Sequence, residues 1–414
     1  MNPLRQIEQD VLVLGREWTR LELQKRLQKE CDAMPMVCGQ TGQPLENTRW
    51  REMKLDTVAG RVELRVHRGY DPEQGKWICP ARAAWGLSPY KRKTPELQAR
   101  LAYTATAVGS YAEAETMAQT WGTPVSDGCI HQQVQSLGKR AQALDLPSPA
   151  TARSEPPFCL VIMMDGWMAR ERGADWGAGP RKKNPQRVDW REIKSAVIYR
   201  LEQRVENAAG RGLLLEKYTV ATPPETSPVD FGKQVHHEAL RRGLARAQVV
   251  YLVMDGAVWL WDLAEDRFKD AVKTLDFHHA REHLHAVAES LHGTGTCEAQ
   301  AWLKEMLHRL RHGKETLVVC RLEELLGSQA QRSVEQQETI GREVNYFQVH
   351  RDHLHYRTLE KAGAPMGSGA VESLGKQLQR RLRGCGQFWS RAGLTSLLRL
   401  SVLVKNRDDP YLWN

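Results

Sequence analysis

A chain of 414 residues is long enough for two or three domains, each with its own core, which excludes a minimal disulfide-stapled module. Hydrophobic residues make up 41% and charged residues 26%, within the ordinary globular range, so wholesale disorder is excluded as well. Lys and Arg number 59 against 50 Asp and Glu, and the resulting charge of +9 favours a polyanionic partner such as nucleic acid over an acidic-protein binder.

No stretch approaches the roughly 20 apolar residues of a membrane helix, and the segment MNPLRQIEQD lacks the apolar core of a signal peptide. A cytoplasmic protein with no membrane partner is expected. The eight cysteines are scattered along the chain, so disulfides are not expected.

Residues 1–45 carry an amphipathic helix, with Leu4, Ile7, Val11, Leu14, Trp18 and Leu21 in a strict alternation of three and four that Gln24 and Lys25 break. Residues 46–93 change to period two. Val62, Leu64 and Val66 define one face, and Arg61, Glu63, Arg65 and His67 the other, with Ala59-Gly60 as the turn. This predicts a hairpin whose outer face, through Arg61 and Arg65, is basic and suited to phosphate contact. Residues 94–143 hold three punctuated helices. Ser110 and Glu113 form an S-x-x-E capping signature for the second, and the third begins at Ser126 after Thr123-Pro124-Val125. A short helix, a tight turn and a polar third helix predict a helix-turn-helix, with His131, Gln132 and Gln135 directed at base edges and Lys139 and Arg140 at phosphates. Residues 144–157, rich in Pro, Ser and Ala, read as a linker.

From 158 to 279 the chain reads as α/β. The apolar run FCLVIMMDG, the strand candidates EIKSAVIYRLE and GRGLLLEKYTVAT, a helix over about 230–247 and the apolar run QVVYLVMDG predict a mixed sheet covered by helices. Residues 280–361 are helical in period, with one short strand-like stretch, LVVC. In 362–414 a Gly-rich turn, APMGSGAVES, opens a last pair of basic helices.

Two aspartates share one setting, Met164-Asp165-Gly166 and Met254-Asp255-Gly256, each following a buried strand. Asp-Gly alone is a turn signal. Twice after an apolar strand it implies a compensated charge, because a buried carboxylate is costly without a metal or a basic partner. Glu372 supplies a third carboxylate after Gly367-Ser368-Gly369, at the start of a helix that continues through Lys376, Arg380 and Arg381 to Arg383, all four placed as DNA contacts. Three carboxylates on separate elements can hold two Mg²⁺ ions, with Mn²⁺ as a possible substitute, for phosphodiester cleavage and strand transfer.

The runs MMDGW, VMDGAVWLW, TLDFHHAREHLH and APMGSGAVES with RLRGCGQFWSRAGLTSLLRL resemble the DDE transposases of bacterial insertion sequences, specifically the ISKra group, kin to the Mutator-like transposases. The resemblance spans about residues 30 to 410. It implies a ribonuclease H-like catalytic domain interrupted by an all-helical insertion, behind an N-terminal α+β DNA-binding region. It also implies Asp165, Asp255 and Glu372 as the acidic, metal-holding triad, Mg²⁺ as the metal and no nucleotide cofactor. The partners implied are double-stranded element ends and target DNA, engaged as a homodimer, with the protein associated with a bacterial nucleoid. Members of the group carry paired C-x-x-C ligands in the N-terminal domain. Here only Cys31, Cys38 and Cys79 occur, without a C-x-x-C, and no zinc is expected on three scattered thiols.

Two other classes of function stay open at this point. One is a domesticated, catalytically idle sequence-specific DNA-binding protein. The other is a zinc hydrolase, because His279, Glu282 and His283 fall in the order H-x-x-E-H within a run that also holds His278 and His285. Asp276 to His279 matches the D-x-x-H that resembling transposases carry after the second aspartate. Asp276 is expected to cap a helix, and His279, not His278, to support the carboxylates.

Overall fold

The computed structural model describes residues 2–88, 90–147, 156–177, 187–208, 212–327 and 332–413, so most of the expected linker, from 148 to 155, lies outside the described residues. The chain forms two compact units, Met1–Gln142 with Asp409–Asn414, and Ala143–Asp408. Residues 409–414 were expected to close the catalytic core. They belong instead to the first unit, where the Arg140 guanidinium donates to the Leu412 carbonyl and lies 5.8 Å from the Trp413 ring centre. These contacts hold the Arg140 side chain, which remains exposed.

In the first unit, α1 (Pro3–Ala33) starts with Pro at its first position and Asn2 as cap, then runs beside a sheet of β1 (Glu46–Thr57), β2 (Gly60–Asp71) and β3 (Lys76–Ile78), in the order β1-β2-β3. Met53, Leu55, Val62, Leu64 and Val66 form the core with Cys31 and Ala81 of α2 (Pro80–Ala84). The apolar alternation of α1 is not what packs here: Leu4, Ile7, Val11, Leu14, Trp18 and Leu21 are each at least 50% exposed. The residues that break the alternation make the contact. The Arg20 guanidinium donates to the Arg61 carbonyl, Gln24 accepts from the Glu63 N–H, and Gln28 accepts from the Arg65 N–H and donates to the Arg65 carbonyl. Four helical residues rise about 6 Å and two strand residues about 6.6 Å, so side chains at every fourth helix position meet every second residue of the strand. A row of helix side chains thus occupies the hydrogen-bonding edge that β2 presents along residues 61–65.

The outer face of the hairpin is not the basic surface that alternation predicts. Arg61 pairs with Asp56 at 2.8 Å, and Lys54 with Glu52 at 3.0 Å and Glu63 at 2.9 Å, so near the turn two cations meet three carboxylates. Arg65 is exposed and lies over the Trp50 ring at 5.0 Å.

Helices α3 (Pro95–Ala107), α4 (Tyr111–Thr120) and α5 (Asp127–Gln142) complete this unit. Ser110 caps α4 by accepting from the Glu113 N–H, while the Glu113 carboxylate reaches one residue further back, to the Gly109 N–H at 3.0 Å. On α5, Ile130, Val134 and Leu137 are buried, His131, Gln132 and Lys139 are exposed, and Gln135 is half-buried.

The second unit is built on five strands. These are β4 (Cys159–Arg172), β5 (Val188–Arg200), β8 (Tyr218–Thr222), β9 (Val249–Met254) and β10 (Val272–Leu275), in the order β10-β9-β4-β5-β8. Strands β10, β9 and β4 are parallel to each other, and β5 is antiparallel to both β4 and β8. Part of the run GRGLLLEKYTVAT leaves the sheet: Gly212–Leu214 forms β7, which pairs with β6 (Arg204–Glu206) in a separate ribbon. Helices α6 (Pro228–Arg241) and α7 (Val258–Arg267) pack Phe231, Val235, Leu260 and Leu263 against Ile162, Met164, Leu252 and Met254 of the sheet. The unit is thus a mixed α/β sheet with helical cover, as the sequence predicts.

A helical layer follows β10, composed of α8 (Phe277–His292), α9 (Cys297–Arg311), α10 (Glu315–Gly327), α11 (Val334–Val349) and α12 (Tyr356–Lys361). It has its own core around Leu284, Leu310, Leu322, Phe347 and Tyr356. The strand-like LVVC lies within α10, because Val318, Val319 and Leu322 meet that core at helical spacing. Helices α13 (Gly369–Leu382) and α14 (Arg391–Asn406) end the unit. Among the described residues no helix is long and apolar enough to cross a membrane.

The edge contact predicts the behaviour of a Gln24→Ala/Gln28→Ala double variant. The Glu63 and Arg65 amides should lose hydrogen-exchange protection, with a stability loss of about 1 kcal/mol, since water replaces part of what is removed. Unchanged exchange at both amides would show that the helix does not hold this edge.

Candidate active site

The site begins in the register of three parallel strands. Met164 pairs with Met254, and Met254 with Leu275, so the next residues, Asp165, Asp255 and Asp276, stand level where the parallel pairing of adjacent strands stops. Adjacent backbones in a sheet lie about 4.8 Å apart, which brings the three aspartates together. Strand β4 does not end at Asp165, as its apolar run suggests. It loses β9 at that point but continues with β5 to Arg172.

Asp165 accepts from the Gly166 N–H at 2.7 Å, and Asp255 from the Ala257 N–H at 2.9 Å. The second glycine of the repeated Asp-Gly has a packing reason beyond a turn: a Cβ at Gly256 would collide with the Tyr346 ring, whereas one at Gly166 would meet only the movable end of Glu192. Trp261 ties down the same corner by donating to the Asp255 carbonyl at 2.9 Å.

Asp276 differs from the other two in being fully buried and satisfied. Its carboxylate accepts from the N–H groups of His278 (2.5 Å) and His279 (3.0 Å), capping α8, and from the N–H of Ser368. Burial alone would raise its pKa, but the bonds from His279 and Ser368 outweigh it and hold the group well below the usual carboxylate range. The His279 ring has Nδ1 3.5 Å from the same carboxylate, and this partner pushes its pKa up to about 9 against the effect of burial. His279 is thus a cation near neutrality. Gly367 permits the close approach, since a Cβ there would lie 3.0 Å from the His278 ring.

Through Ser368 the clamp positions the start of α13. That helix crosses β4 and β5, where Gly375 packs on Trp167, and Trp167 donates to Ser195, the partner of Asp165 on β5. Glu372, in the first turn, lies 3.4 Å from both the Ser368 hydroxyl and the Lys376 ammonium. Asp165, Glu372, His279, Lys376 and Arg380 line one cleft of about 910 Å³. Burial, then the neighbouring Asp255 and Glu372, push the Asp165 pKa up to about 6.

The structure therefore gathers Asp165, Asp255, Glu372, His279, Lys376 and Arg380. It does not gather Arg381, which is 4% exposed with its guanidinium 5.2 Å from the Trp389 ring centre, on the helix face that also buries Leu374 and Leu378. Arg383 is exposed at the far end of the helix. Arg61, Arg65, His131, Gln132, Gln135, Lys139 and Arg140 belong to the other unit. The H-x-x-E-H residues diverge: His279 turns to Asp276, while His283 meets Glu343 at 2.5 Å and stacks on Tyr346. Among the thiols, Cys31 shares the hairpin core with Cys79, while Cys38 is bonded to Asp71 and Gln74. Among the described residues no three His, Cys, Asp or Glu side chains are disposed to hold a metal ion as they stand. Ser368 and Tyr346 were not legible as site residues, because their roles depend on contacts with residues distant in sequence.

Two predictions follow from these charges. The folded-state pKa of Asp165 lies above its unfolded value, so its ionisation opposes folding once pH rises through about 6. Asp165→Asn should raise the melting temperature near pH 8 without divalent metal by about 2–6 °C, corresponding to roughly 1–2 kcal/mol, and the gain should vanish near pH 4. An equal gain at both pH values would refute the assignment. Asp276→Ala leaves buried N–H groups without an acceptor and should cost about 3–5 kcal/mol, with loss of exchange protection at Ser368. A variant as stable as the parent would exclude the clamp.

No family model matches the chain, and no curated protein matches it. Among solved structures it is similar to one described as a Drosophila P element transposase strand transfer complex, with a TM-score of 0.36 and 10% sequence identity, over 76% of this chain and 93% of that one.

Proposed function

We propose that the chain is a DNA transposase, a polynucleotidyl transferase that cleaves DNA strands at the ends of an insertion sequence and joins them to a target. The observation that carries this reading is the cleft itself. Asp165 and Glu372, from a strand and a separate helix, line an opening walled by Lys376 and Arg380, and Asp255 stands level with Asp165 on the neighbouring parallel strand. In this reading the second unit is a ribonuclease H-like domain of the DDE type, and the layer α8–α12 is its helical insertion between the second and third carboxylates.

Asp165, Asp255 and Glu372 are the residues that would hold Mg²⁺, or Mn²⁺ in its place. The donor set fits such ions, being all hard oxygen, and the repulsion that raises the Asp165 pKa is what a cation would relieve. When bound, the metal supplies activation of the attacking oxygen and neutralisation of charge on the leaving one. The protein's own part is to bind and orient. Lys376 and Arg380 attract the phosphodiester backbone, and the Asp276 clamp fixes the helix that carries Glu372. The His279 cation, held by Asp276, faces the acidic cluster and offsets part of its charge. In the first unit, α4 and α5 serve as a helix-turn-helix for double-stranded element ends, with His131 and Gln132 outward and Lys139 near phosphate, and two copies act together on two ends. Gln135, half-buried, is a lesser candidate.

Asp165→Asn, Asp255→Asn and Glu372→Gln should each abolish Mg²⁺-dependent cleavage of element-end DNA and leave DNA binding intact. His279→Ala should lower cleavage about tenfold and His278→Ala should be nearly silent. Near-normal cleavage by any one carboxylate variant removes that residue from the triad. A wild-type protein that binds element ends but never cleaves them would instead be the idle DNA-binding relative.

A further inference from the structure

Away from the acidic cleft, the second unit carries a surface built almost entirely from arginines and aromatic rings. Past Asp165, β4 and β5 extend as a two-stranded arm in which Arg170 lies directly across from Trp190. The Arg170 guanidinium is 5.9 Å from the Trp190 ring centre and 5.0 Å from that of Phe388. Arg383, from the end of α13, lies 5.0 Å from Trp190. Trp176 lies 5.0 Å from Phe388 and has Arg172 at 5.3 Å. Rings and guanidiniums therefore alternate, and Trp190 remains 50% exposed.

The arginines also keep their charge uncompensated. Arg170 donates to the carbonyls of Arg383 and Gly384, and Arg172 to that of Phe388, which fixes the side chains without neutralising them. Among the described residues no carboxylate stands within salt-bridge distance of Arg170, Arg172 or Arg383. Backbone carbonyls and aromatic faces thus preorganise a cationic surface.

Its position relative to the carboxylates is set by two elements. Five strand residues separate Asp165 from Arg170, about 16 Å at 3.3 Å each, and eleven helical residues separate Glu372 from Arg383, again about 16 Å at 1.5 Å each. The two routes meet where Arg170 bonds the Arg383 carbonyl. Exposed Lys376 and Arg380 mark the helical route. At about 3.4 Å per stacked nucleotide the separation is near five nucleotides.

We infer that this arm and the end of α13 form a binding surface for unpaired DNA, which stacks a base on Trp190 and contacts phosphates through Arg170, Arg172 and Arg383, about five nucleotides from the carboxylates. A duplex keeps its base faces stacked within itself and cannot use an exposed indole in this way, whereas a single strand offers a π-face at every nucleotide. The surface therefore favours a strand that is open beside the cut. This inference rests on the nucleic-acid reading of the cleft, and its test does not depend on cleavage.

The experiment measures fluorescence anisotropy of a labelled single-stranded oligonucleotide of random sequence, and of the same sequence as a duplex, with full-length protein. Trp190→Ala should weaken single-strand binding by about fivefold or more and leave duplex binding within about twofold, while Trp190→Phe retains most of the single-strand affinity. Arg383→Ala should weaken single-strand binding and flatten its salt dependence. Equal loss on both DNA forms, or wild-type single-strand affinity in Trp190→Ala, would overturn the proposal. Trp190-dependent single-strand binding in a wild-type protein that never cleaves DNA would sustain this surface and defeat the transposase reading.

Discussion

The second unit depends on one buried carboxylate. Asp276 accepts backbone N–H groups from two segments, the first turn of α8 and the loop at Ser368. A carboxylate without water is tolerable only when such donors surround it, and here they do so well enough that it stays ionised. Several features hang on that one group: the direction in which α8 leaves the sheet, the close approach of Gly367, the origin of α13 and the protonated state of His279.

The same few ångströms hold an opposite case. Asp165, one strand removed from Asp255, faces like charge, and its pKa rises where that of Asp276 falls. Three level aspartates thus divide into one that stabilises the fold and two whose charge awaits a counter-charge. Perturbed groups in a cleft mark functional sites when burial is joined by a specific charge partner, and for Asp165 burial comes first and the Asp255 carboxylate second.

Much of this was legible in residue order. The paired Asp-Gly after apolar runs located where the parallel pairing of β4 with β9 ends, though not the end of β4, and Asp276 before a helical period announced its cap. What could not be read were the contacts between segments remote in sequence. That Tyr346 covers Gly256, or that Ser368 reaches Asp276, depends on how the helical layer folds back. Arg381 is an instructive error. It sits three residues after Leu378 and beside Leu382, so helical spacing puts it on the buried face, whereas the basic run alone suggests a DNA contact. On the hairpin, the alternation correctly separated inner from outer residues but could not reveal that Asp56, Glu52 and Glu63 neutralise the outer cations, because cross-strand register decides that. The apolar seam of α1 likewise obeyed its period and yet lies on the exposed side, because polar side chains of the same helix take the sheet edge.

The bond between Ser368 and Asp276 joins residues 92 positions apart. Closing a loop of that length costs about 4 kcal/mol of chain entropy before any contact repays it, so the closure waits until the intervening helices have condensed on their own core. Asp165 and Asp255 lie 90 positions apart, so the sheet that brings them level needs a closure of similar length. The acidic set is therefore a property of the finished fold: a nascent or partly unfolded chain does not yet hold it.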